Sequence, residues 1–145
     1  MIRKALSAVG IGLAMVLATT IPASAAPAIE RDYAPATGSI TNPTACVYVE
    51  DHDLNPGTGC FAAAGDILYA ADSKSDGHSV ALHWLNYRDG SLYREGYCIQ
   101  THGKDTGGRC NKNFLEGSSL WIRACTYESS TNREVFCSSY EKTYA

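Results

Sequence analysis

The 145-residue sequence predicts an all-β fold: a small antiparallel β-sandwich or barrel of about six strands, stapled by disulfides. Three observations predict it. Apolar residues recur at period two in several short runs, and no sustained 3.6-residue stripe is present. Clusters of Gly, Asp, Asn and Ser punctuate those runs. Six cysteines follow an apolar leader, the pattern of an exported chain that replaces part of a greasy core with cross-links.

Residues 1–25 read as a signal peptide. Arg3 and Lys4 supply the positive start, the apolar part runs from Leu6 to Ile21, and Ala23-Ser24-Ala25 has the small-x-small form that signal peptidase accepts. Cleavage after Ala25 removes two of the 12 basic residues and keeps all 15 acids. Residues 26–43 hold Pro27, Pro35 and Pro43 without sustained periodicity and read as a flexible N-terminal arm. The β domain is expected over 44–145.

Six strands are expected in it: Ala45–Glu50, Ile67–Ala71, Val80–Tyr87, Ser91–Gln100, Ser119–Tyr127 and Glu134–Tyr140. Val80–Tyr87 is the clearest, with Val80, Leu82 and Trp84 on one face and His83 on the other. Asp89-Gly90 marks the turn that follows it. In Ser119–Tyr127, Leu120, Ile122 and Ala124 point inward, which leaves Trp121, Arg123, Cys125 and Tyr127 on the outer face. Phe61–Gly65 reads as a short helical turn, because its alanines favour helix.

Pairing sequence neighbours joins Cys46 to Cys60, Cys98 to Cys110 and Cys125 to Cys137. The intervening counts are all odd, so directly opposed cysteines require an odd loop or a bulge. Loop-forming residues lie midway in each interval, so all three pairs fit stapled hairpins. A sheet-to-sheet bridge such as Cys98 to Cys125 is the alternative. Each bridge should contribute about 3 kcal/mol in the chain-entropy description. A Cys125–Cys137 hairpin would set Glu141 opposite Trp121 and Val135 opposite Tyr127.

The formal charge of −3 argues against nucleic acid as partner, since phosphate binding needs a basic face. Neither a zinc-helix motif nor a nucleophile elbow is present, and no close Cys or His pair suggests a metal or cofactor. Glu50-Asp51-His52-Asp53 offers carboxylate and imidazole ligands, but alternation on a strand splits them between two faces. Asp72–Gly77 has a faint calcium-loop pattern, with Lys74 standing where a ligand belongs. The binding residues expected instead are Trp121, Arg123 and Tyr127, an outer-face row of the residue types enriched at interface hot spots.

The Ala-rich leader, the segment DSKSDGHSVALHW and the hairpin LEGSSLWIRACTYE…VFCSS resemble the small secreted cysteine-rich proteins of actinobacteria. That resemblance implies export and a β-rich domain, and no activity. Cys46-Val47 is also similar to the early Cys-Val pair of the proteinaceous α-amylase inhibitors, which are small disulfide-bonded β-sandwiches. Their Trp-Arg-Tyr triplet is absent from the first hairpin, which reads Val49-Glu50-Asp51. Trp121-Ile122-Arg123 has another order on another hairpin.

The function expected from sequence is extracellular, non-enzymatic binding of a protein or polysaccharide, with no membrane attachment once the leader is gone. The alternatives are an extracellular enzyme inhibitor and a small hydrolase. The hydrolase would use two of His52, His83 and His102 with an acid such as Asp51 or Asp53.

Overall fold

The computed structural model describes residues 25–51 and 54–145. The rest of the expected signal peptide, and His52 and Asp53, lie outside the described residues. Ten strands follow in order: β1 (Ile29–Tyr33), β2 (Ala45–Asp51), β3 (Leu54–Ala62), β4 (Ile67–Asp72), β5 (Ser79–Arg88), β6 (Ser91–Gln100), β7 (Thr106–Asn111), β8 (Ser119–Glu128), β9 (Arg133–Cys137) and β10 (Glu141–Tyr144). They form two sheets. One runs β1-β6-β5-β8, with β9 and β10 both on β8; the other runs β2-β3-β4-β7. Every pairing is antiparallel except the parallel β1–β6 pair.

The period-two runs set the core. Val80, Leu82 and Trp84 of β5 point inward, and the register sets Leu82 against Ala124 and Trp84 against Ile122 of β8. Val47, Val49, Phe61, Leu68 and Ala70 answer from the other sheet. Fully burying side chains of this size stabilises the fold by roughly 1.5–3 kcal/mol each. Asp89 and Gly90, both at positive φ (50° and 78°), make the expected two-residue turn between β5 and β6.

Three strands were hidden in the sequence. β1 lies inside the arm expected to be flexible, while β3 and β7 carry glycines that read as loop. The glycines have a packing role. A methyl at Gly57 would sit 2.6 Å from both Val80 methyls, and one at Gly59 would overlap Leu82. β3 therefore lies close against β5 because two of its inward positions lack a side chain. The helical turn expected over Phe61–Gly65 does not form. β3 continues to Ala62, and the chain then turns through Gly65 and Asp66 at φ 90° and 52°.

The expected strand Glu134–Tyr140 is two strands. The chain leaves β8 after Cys137 and rejoins it at Glu141. A bulge between Thr126 and Tyr127 sets Glu134, not Val135, opposite Tyr127. Lys142, not Glu141, faces Trp121.

All three neighbour disulfides form. Cys46–Cys60 and Cys125–Cys137 staple hairpins between directly opposed residues, and a register shift in each hairpin accounts for the odd spacing. Cys98–Cys110 is not a hairpin staple. It joins β6 of one sheet to β7 of the other.

The two lateral sides of the sandwich differ. On one side the N-terminal segment crosses between the sheets. Ala34 N–H donates to Ile99 C=O (2.7 Å), Thr37 N–H donates to Gly107 C=O (3.0 Å), and Ala36 bridges Gly108. Glu30 receives Arg94 and Lys112, each at 2.8 Å, and Lys112 also pairs with Asp32. This side is sealed. On the opposite side, β2 ends one sheet and β9–β10 end the other, with no strand between them among the described residues.

Candidate functional site

The row expected on β8 lies on the outer face as its alternation requires, but only part of it meets solvent. Trp121 is 36 % exposed, whereas Tyr127 is fully buried. The reason is the β8–β9 hairpin, whose tip curls back over the sheet. Asn132 Oδ1 accepts from Tyr127 Oη (3.2 Å) and from Tyr33 Oη on the far strand β1 (3.3 Å). Beneath it, Ala81, Tyr97, Ile99 and Tyr127 form a second small core. Arg123 is occupied too. Its Nη2 pairs with Glu134 Oε2 at 2.5 Å, and its guanidinium lies 4.5 Å from the Tyr140 ring centroid. Trp121 keeps exposed company in Lys142 and Tyr144.

Under the hairpin sits a polar cluster that the sequence did not announce. His83, buried, stacks on Tyr97 with ring centroids 4.3 Å apart. Its Nε2 lies 3.1 Å from Glu95 Oε1, and its Nδ1 lies 2.8 Å from Glu134 Oε1. Tyr140 Oη (3.0 Å) and Arg123 Nε (3.2 Å) also reach Nδ1. A proton on Nδ1 is thus donated to Glu134, and without that proton Nδ1 accepts from Tyr140 or Arg123. Either state of the imidazole finds a partner.

Burial alone would raise the Glu134 pKa, but hydrogen bonds from His83 and Arg123 and their charges hold it at about 2. Burial pushes the Tyr140 hydroxyl up to about 12 and raises that of Tyr97 as well. Chemically, the cluster clasps the hairpin: Glu134 is the tooth, and His83, Arg123 and Tyr97 are the socket.

The open side holds a cleft of about 570 Å³. One wall is β2, through Cys46, Val47, Tyr48 and Glu50; the other is the chain from Cys137 to Glu141. Two disulfides thus frame it. Tyr140 belongs to both features, lining the cleft while its hydroxyl reaches His83.

No protein-family model, curated protein or solved structure matches the chain.

Of the histidines expected to cooperate, the two described ones, His83 and His102, have separate surroundings. His83 is in the clasp, while His102 lies in the β6–β7 connection, its Nε2 3.1 Å from Ala34 C=O. His78 lies 3.8 Å from Glu128. Asp51 ends β2, beside the undescribed His52 and Asp53. The Asp72–Gly77 segment closes on itself, with Asp72 Oδ1 accepting Lys74 N–H and Asp76 Oδ1 accepting His78 N–H, each at 2.9 Å. Ligand atoms of Cys125, Glu134 and Cys137 lie within 4.8 Å of one another, but the disulfide removes both thiolates.

Reasoning from sequence missed the clasp and the cleft. The legible signals were His83 and Arg123, each placed on the outer face by alternation. The partners of His83 come from β6, β8, β9 and the β9–β10 connection, which no local pattern connects.

Proposed function

We propose that this protein is a non-enzymatic binding module that works outside the cell and takes its ligand at the open side of the sandwich. Three disulfides in a small protein are compatible with an extracellular location. The apolar leader with its small-x-small site supports export.

One observation carries the binding role: the cleft between β2 and residues 137–141, framed by two cystines and lined by Tyr48, Tyr140 and two serines. Such a frame stays rigid, so little ordering opposes binding. Hydroxyls and aromatic rings at one cleft can hold a polypeptide or a polysaccharide. Titrating isotope-labelled protein with soluble polysaccharide fragments and unstructured peptides tests the proposal. Amide shifts confined to residues 46–50 and 137–141, with the probe recovered intact, are expected. Shifts centred elsewhere, or cleavage of a probe, contradict it.

One feature favours the hydrolase instead. His83 lies between two carboxylates, and Glu95 Oε2 makes no hydrogen bond among the described residues. Turnover of a glycoside or phosphodiester substrate that is lost in Glu95→Gln would support that alternative.

A further inference from the structure

We infer that the ligand of the cleft is an extended, cationic polypeptide segment that adds to the free edge of β2; this rests on the binding role proposed above. Cys46 and Cys60 are directly opposed with Cα atoms 4.1 Å apart, the spacing of a non-hydrogen-bonded pair. The ladder bonds of this hairpin therefore belong to Ala45, Val47 and their partners. At Cys46 and Tyr48 the N–H and C=O groups point away from β3, toward the cleft that these residues line.

Unpaired among the described residues, this row of donors and acceptors in a cleft is a template for one more strand. It also differs from a sugar site, where side chains supply the polar contacts. The opposite wall leaves room for the added strand because the chain has left β8 there, between Cys137 and Glu141.

Charge selects the occupant. Glu50 and Glu141 line the cleft, and no Lys, Arg or His stands among the described lining residues. Alternating side chains of an added strand would place every second one toward these acids. A second copy of this chain fits poorly, because it brings the same acids and a net charge of −3 to an acidic cleft.

The test is fluorescence anisotropy with three labelled peptides: alternating lysine and valine, alternating glutamate and valine, and the lysine peptide N-methylated at every second residue. The oxidised protein without residues 1–25 should bind only the first. Glu50→Gln with Glu141→Gln, both at exposed positions, should weaken it about tenfold. Equal binding of the acidic or N-methylated peptide, or an unchanged affinity in the double variant, overturns the inference. A soluble chitin oligosaccharide that shifts the Tyr48 and Tyr140 resonances where the lysine peptide does not would overturn it while leaving the binding role standing. No shift from any probe would overturn both.

Discussion

Two residue types decide most of this molecule's behaviour. The first is glycine on β3. Gly59 faces Leu82 at a distance where no Cβ fits, so Gly59→Ala must push the sheets apart or force Leu82 off its rotamer. A loss of about 1–3 kcal/mol is expected, read as a lower urea midpoint. Gly90→Ala, at a turn with open space but positive φ, should cost only about 1 kcal/mol through backbone strain. The second type is the clasping glutamate. Hydrogen bonding from Arg94, reinforced by Lys112, keeps Glu30 at about 2; His83 and Arg123 do the same for Glu134. Both start from 4.5, so their contribution is complete above that value and disappears as the pH falls toward 2. Each carboxyl retains some solvent contact, which limits the contribution to about 1 kcal/mol apiece. Unfolding measured across this range should show an acid limb in the native protein that is flattened in Glu30→Gln with Glu134→Gln. An unchanged limb would contradict the clasp.

Elements divide into those that announce themselves and those that borrow their reasons. β5 and β8 were legible because apolar residues alternate along them, even though the β8–β9 hairpin also buries Ala81, His83 and Tyr127 on their outer face, and β6 was legible from the Asp89-Gly90 turn before it. β1 was not, since IERDY sets three consecutive charges between Ile29 and Tyr33, and those two apolar ends point outward. Its inward positions are Glu30 and Asp32, made tolerable only by Arg94 and Lys112 from distant strands. β3 and β7 looked like loop because their glycines answer to neighbours, Val80, Leu82 and Ala34, that sequence does not place. The middle disulfide was paired correctly but misread as a hairpin for the same reason: nothing local reveals that β6 and β7 belong to different sheets. β1 and the segment after it should then be integral. Removing residues 26–37 is expected to lower stability by about 2–4 kcal/mol, the scale of losing a buried charge network and an edge pairing. A thermal melt unchanged by this truncation would contradict the sealed side. Cys98→Ala with Cys110→Ala should cost about 3 kcal/mol and leave both hairpin staples intact.

At the scale of the whole molecule, asymmetry is the organising fact. The N-terminal segment closes one side of the sandwich with backbone bonds and ion pairs. The other side is open between two cystines among the described residues, with β2 turning the N–H and C=O groups of Cys46 and Tyr48 toward a cleft. Binding at that cleft follows only if the edge is free in solution. Residue-resolved amide hydrogen exchange on the oxidised protein measures this directly. Ala34 and Thr37, whose N–H groups bond across the sealed side, should exchange slowly, as should Val47 in the β2–β3 ladder. Cys46 and Tyr48 should exchange far faster than Val47 between them. Protection of Tyr48 equal to that of Val47, or free exchange at Ala34 and Thr37, would contradict the account.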